Sequence, residues 1–127
     1  MRGVIGITRR DGRLLLIRRS RHVRVPLAWC FPGGEMEPGE TQAQTLVREM
    51  REEMGLEVEP GELLMTQEKH DGRLLLYCWS ARIVSGEVTP NPHEVAEYAW
   101  LTPDEIRLKD SVLPGTTDIL DALERKP

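Results

Sequence analysis

The chain has 127 residues, 39% of them hydrophobic, and a formal net charge of −4, which suits one domain with a core of its own. No apolar run reaches the length of a membrane span, and the N-terminus turns charged too soon for a signal peptide, so a cytoplasmic chain away from membranes is expected. The net acidity argues against stable nucleic-acid binding.

The segments at residues 2–8 and 13–19 read as strands joined by a turn at Asp11-Gly12, a hairpin signal. A loop over residues 20–28 leads to a short strand at 29–31 and then to the Gly- and Pro-rich stretch FPGGEMEPGE. Thr41 with Gln44 has the form of a capping box, and Gly55 stands where a left-handed C-terminal cap is expected. Between them Ala43, Leu46, Val47, Met50 and Met54 recur at helical spacing as a buried stripe. Residues 63–70 and 73–84 form a second hairpin around Asp71-Gly72, and a Pro-containing loop at 85–92 precedes a strand at 97–101. Thr102-Pro103 opens a helix, and a last amphipathic helix covers residues 116–125. Mixed strands around a central helix, with further helices at the end, predict an α/β fold with a mixed sheet between helices. Cys30 and Cys78 have no second Cys or His at ligand spacing and read as small buried side chains.

Charge is distributed unevenly. Residues 1–29 hold eight arginines and a single acid, Asp11, whereas residues 35–62 hold nine glutamates and two arginines. That juxtaposition suits a polyphosphate held between arginines and carboxylate-bound metal, although Arg outnumbers Lys fourteen to three throughout and composition alone supplies many arginines.

The densest pattern lies between Gly34 and Leu56, GEMEPGETQAQTLVREMREEMGL. On a helix Glu49, Glu52 and Glu53 are related as i, i+3 and i+4 and share a face. Like charges so placed repel, and a hard, oxygen-seeking cation such as Mg²⁺ relieves them. The structural alternative is a solvated acidic face partly neutralised by Arg48 and Arg51. The fixed positions Gly34, Glu40, Arg48-Glu49, Glu52-Glu53 and Gly55-Leu56 are similar to the Nudix box, with Met50 in place of the usual branched aliphatic residue. The likeness continues through the W-x-FPGG entry and the E-Y-x-W-L ending, so the whole chain, 1–127, resembles a single Nudix hydrolase domain of the short MutT-like kind.

That resemblance implies the Nudix α/β/α fold and Mg²⁺-dependent hydrolysis of a nucleoside diphosphate linkage, with Mn²⁺ as substitute. It implies Glu49, Glu52 and Glu53 as metal ligands, joined by the backbone carbonyl of Gly33. Glu40 supports the site through water or by pairing with Arg48. One further glutamate comes from the HEVAEYAW stretch, Glu97 by its spacing to the following aromatic or else Glu94. The general base is Glu52, Glu53 or that loop glutamate. Arg19, with Arg24 in the same loop, corresponds to a phosphate-contacting position, the alternative being a strand-end surface residue. Thr116 falls where an 8-oxo-guanine-specific relative presents an asparagine; a threonine lacks the paired contacts of an amide, and capping the last helix is its alternative role. A small nucleotide is the implied partner, a (deoxy)nucleoside triphosphate first and another X-linked nucleoside diphosphate second, on a monomer or homodimer. A ligand-sensing Nudix domain without catalysis is a third reading, opposed by the intact carboxylates.

Overall fold

The computed structural model describes residues 1–125. In chain order the elements are β1 (Arg2–Arg10), β2 (Arg13–Arg19), β3 (Trp29–Cys30), β4 (Gly33–Glu35), α1 (Gln42–Met54), β5 (Glu57–Lys69), β6 (Leu74–Ser85), β7 (Val95–Leu101), α2 (Pro103–Arg107) and α3 (Thr116–Glu124).

The first hairpin turns at Asp11 and Gly12, both with positive φ, as a two-residue type I′ turn requires. Only Arg9 with Leu14 and Arg10 with Arg13 pair across it. Beyond those pairs the strands part. β1 runs parallel to β6 and antiparallel to β4, while β2 pairs antiparallel with β7 and β3. β5 closes the other edge, antiparallel to β6. The result is the mixed sheet with helices on both faces that the sequence predicts.

The apolar run of β2 explains the layering. Leu14, Leu15, Leu16 and Ile17 are all at most 3% exposed, so both faces of the strand are covered. Leu15 and Ile17 belong to a core shared with Leu46, Met50 and Met54 of α1. Leu14 and Leu16 belong to one shared with Ile106 of α2 and Ile119 and Leu120 of α3. Alternation along one strand thus builds two cores, at about 1.5–3 kcal/mol for each large apolar side chain fully buried.

The expected caps are present. Thr41 and Gln44 exchange hydrogen bonds of 2.9 and 3.1 Å, and Gly55 ends α1 in the left-handed conformation. Thr102 and Glu105 make the same reciprocal cap on α2, with Pro103 in the first turn. Three expectations need correction. The glycine-rich stretch is not all loop, because Gly33–Glu35 pairs as β4 with β1. The second hairpin begins at Glu57 rather than residue 63, since register shifts around Pro60 and Leu63 let a Pro- and Gly-bearing segment stay in the sheet. On α1, Thr45 and Glu53 are buried while Ala43 and Val47 are only half-buried. Glu53 therefore belongs to the inward face. Both cysteines are free and buried, as expected, and among the described residues no helix is long and apolar enough to cross a membrane.

Candidate active site

The site starts from a close approach of backbone to helix. A Cβ at Gly33 would overlap the carbonyl of Val4, and one at Gly34 would overlap the carboxylate of Glu49. Two glycines in succession therefore let β4 lie flat between β1 and α1. Glu53 reaches from α1 into this junction and accepts a 3.0 Å hydrogen bond from the Gly33 N–H. It is 7% exposed. Burial raises its pKa to about 8, and the charges of Glu94 and Glu49 add to the rise against the Gly33 N–H and Arg19. Glu49, its side chain 13% exposed, is likewise shifted upward by burial, with Glu94 and Glu52 reinforcing the shift and Arg48 opposing it.

Arg48 organises the acids around it. Its guanidinium donates to both oxygens of Glu40 at 2.7 and 2.9 Å, to Glu49 at 2.8 Å, to Glu52 at 3.1 Å and to the Glu35 carbonyl at 2.9 Å. The two-pronged contact with Arg48, helped by the Glu37 N–H, lowers the Glu40 pKa to about 2. Of the two roles open to Glu40 in the sequence, the structure displays the pairing with Arg48. The guanidinium also links α1 to the end of β4.

The loop before β7 completes the acidic side. The N–H groups of Thr89 and Asn91 donate to the carbonyls of Met54 and Glu53 at 2.8 Å each, which ties the loop to the end of α1. The Ser20 N–H donates to the Glu94 carbonyl at 3.0 Å, tying the same loop to the end of β2. Held from both sides, Glu94 raises the pKa of both Glu49 and Glu53. Among the described residues no donor bonds its carboxylate. Glu97 lies elsewhere: it stands opposite Arg18 in the β2–β7 register and forms a 2.9 Å ion pair with it, 53% exposed. The spacing to the aromatic that singles out Glu97 in sequence thus reflects a cross-strand pair, and Glu94 is the residue brought to the carboxylates.

Among the described residues no three His, Cys, Asp or Glu side chains stand together as a ready cation cage. Glu52, expected beside Glu49 and Glu53, is 57% exposed and turned to Arg48. One guanidinium satisfies Glu49 and Glu52 together, and a backbone N–H satisfies Glu53. The chemical type of the donors, carboxylate oxygens, is nevertheless the one a hard divalent cation takes. Glu49, Glu53 and Glu94 are oxygen donors whose mutual repulsion, seen in their shared pKa effects, such an ion would cancel.

Beside this acidic edge, on the α3 face of the sheet, lies a cleft of about 760 Å³ reached by Gly33, Gly34, Arg19 and Arg24. The Arg19 Nε donates to the Arg24 carbonyl at 2.5 Å, and its Nη1 lies 4.0 Å from the Cys30 Sγ. Burial pushes the Cys30 thiol up to about 11 despite that neighbour, so it stays protonated and poorly nucleophilic at neutral pH. Thr116 also lines the cleft. It does not cap α3: Gly115 holds the N-cap position, and the Thr116 hydroxyl donates 2.9 Å to the Leu113 carbonyl. Its hydrogen is spent within the turn, which leaves only lone pairs for a ligand. Gln67, Lys69, Leu74 and Leu76 line the same cleft and carry no motif. The signal available in sequence was the period-two alternation of β5 and β6, which needs the strand pairing before it acquires meaning.

A strand of paired glycines, acids on the following helix and an arginine-bearing cleft together define a hydrolase of phosphate anhydrides. The Nudix domain model matches residues 2–123, and the chain belongs to the Nudix hydrolase family. It is 36% identical over 121 residues to the CTP pyrophosphohydrolase of Escherichia coli strain K12, covering 94% of this chain and 87% of that protein. A MutT-like protein of Streptomyces ambofaciens is 35% identical over 93% of this chain and 73% of its own length. The crystal structure of a MutT Nudix hydrolase from Burkholderia pseudomallei superposes with a TM-score of 0.85 at 27% identity, covering 96% of each chain.

Proposed function

We propose that the chain hydrolyses nucleoside triphosphates to the monophosphate and pyrophosphate. The observation that carries this reading is the set of partly or wholly buried acids Glu49, Glu53 and Glu94, with Glu53 and Glu49 seated against Gly33 and Gly34, which line a cleft that Arg19 and Arg24 also line. The likeness to the CTP pyrophosphohydrolase of Escherichia coli, over most of both chains, supports a triphosphate substrate.

In this reading Glu49, Glu53 and Glu94 hold Mg²⁺, or Mn²⁺ in its place, with the Gly33 carbonyl as a further donor. When bound, the ion neutralises the phosphate oxygens and lowers the pKa of the attacking water. Arg19 and Arg24 hold the phosphate chain, Arg19 with the guanidinium hydrogens beyond the one spent on the Arg24 carbonyl. Glu94 would give one carboxylate oxygen to the ion and with the other, bonded to no donor among the described residues, take the proton of the water. Glu52 stands at the exposed edge as the alternative base. Arg48 and Glu40 keep the helix and β4 in register, so that Glu49 lies over Gly34.

The test is a panel of nucleoside triphosphates, nucleotide sugars, ADP-ribose and 5′-capped RNA with Mg²⁺, scored for pyrophosphate against phosphate release. Pyrophosphate from triphosphates is expected. Turnover confined to X-linked diphosphates would replace the substrate class, and binding without turnover of any member would remove catalysis altogether.

A further inference from the structure

The far end of the cleft is built differently from the end that carries the glutamates. Cross-strand register places Glu35 opposite Gly3, Gly3 opposite Leu76 and Leu76 opposite Gln67, with Leu74 opposite Lys69 in the next row. These residues share one face of the sheet and form the floor of the cleft. From β4 to β5 the floor crosses three strand spacings, roughly 14 Å, a span that an extended nucleoside triphosphate can bridge.

At that far end two side chains reach the turn before α3. The Gln67 Nε2 donates to the Gly115 carbonyl at 2.9 Å, and the Lys69 Nζ donates to the Pro114 carbonyl at 2.5 Å. An ammonium has three hydrogens, so Lys69 retains two. No carboxylate pairs with it among the described residues, and Lys69 lines the cleft on the same face of the sheet as Gln67. The cleft lining there includes Leu74, Leu76, Leu113 and Ile119 together with the polar Gln67 and His70. A cation with free donors at a largely aliphatic cleft wall rewards a neutral group presenting two adjacent acceptors over one presenting a donor there.

We propose that Lys69 is the specificity-determining residue of the cleft, selecting bases with two adjacent hydrogen-bond acceptors: cytosine through O2 and N3, or guanine through O6 and N7. Adenine sets an amino donor beside N7, and uracil and thymine set an N3–H between their carbonyls. The inference rests on the nucleotide reading above, but it concerns recognition rather than cleavage.

Binding of CMP, GMP, AMP and UMP measured by calorimetry tests it without requiring turnover. The wild type is expected to bind CMP or GMP about tenfold or more tightly than AMP and UMP, which also decides between cytosine and guanine. Lys69→Met erases that preference, whereas Lys69→Arg, which keeps a cationic donor, retains it. A wild type without preference, a preference surviving in Lys69→Met, or an equal loss for all four ligands, as expected of a residue that only latches the Pro114 turn, would each overturn the proposal. Preference without hydrolysis of any triphosphate would overturn the proposed reaction and leave the role of Lys69 standing.

Discussion

Gly34 lies directly against Glu49, so close that no Cβ fits between them. The carboxylate is therefore positioned by the absence of a side chain beneath it as much as by its contact with Arg48. Gly34→Ala forces either β4 away from α1 or the Glu49 carboxylate, the movable end of its side chain, away from its place. The expected result is a loss of about 1–3 kcal/mol in stability and a fall in kcat on the order of a hundredfold. Urea unfolding and steady-state kinetics measure the two effects separately, and an alanine variant with unchanged kcat would show that Glu49 need not sit there.

Glu94 and Glu97 make opposite predictions. Glu94→Gln removes the acid facing Glu49 and Glu53 and should lower kcat about a hundredfold or more, in the range of a lost general base. Glu97→Gln breaks a half-exposed ion pair with Arg18 and should change kcat within about threefold and stability within about 1 kcal/mol. Side-by-side kinetics of the two variants is the measurement, and the reverse order of effects would reassign the loop acid.

Cation binding should stabilise the fold. On the proposed reading Mg²⁺ is held by Glu49, Glu53 and Glu94, whose charges oppose one another. Adding it at a hundredfold excess over its dissociation constant is worth about 2.7 kcal/mol, read as a rise in Tm by calorimetry. In Glu53→Gln most of that rise disappears. Removal of the metal by a chelator should return the wild type to its starting Tm, and a Tm indifferent to Mg²⁺ would count against these ligands.

The Arg48–Glu40 pair sets the acid limit. The Glu40 pKa is lowered in the folded chain to about 2 from an ordinary value of 4.5. Its contribution is therefore fully present above pH 4.5 and is lost as pH falls through about 2. Glu40→Gln cannot make the charged contact at any pH, so the stability advantage of the wild type over this variant should shrink across that window. Urea unfolding of both proteins from pH 6 to pH 2.5 tests this, and a constant difference would mean that Arg48 gains nothing from the charge.

The two hairpins, the α1 caps and the buried apolar run of β2 were legible because each is a local pattern with a local cause. Thr41 caps Gln44 and Gly55 ends the helix wherever the rest of the chain goes. The glutamate triplet was equally visible, but its division of labour was not. Helical spacing groups Glu49, Glu52 and Glu53 on one face, whereas packing of α1 on the sheet buries Glu53 and leaves Glu52 outside with Arg48. Choosing between Glu94 and Glu97 required the β2–β7 register, which depends on residues more than seventy positions apart. The capping role that the residue type of Thr116 offered as an alternative falls to the left-handed Gly115. Lys69 lies in no motif, and only the pairing of β5 with β6 sets it on the cleft floor.

The register across the floor also separates two kinds of inheritance. The acids and glycines sit on β4, α1 and the loop to β7, while Gln67 and Lys69 sit on β5, held to the turn before α3. A change at the β5 end need not disturb the β4 end, because Gly3 and Leu76 lie between them. A descendant of this chain can exchange the residues of β5 and meet a new base while keeping the old reaction intact. Duplicated copies would then diverge in diet before they diverge in chemistry.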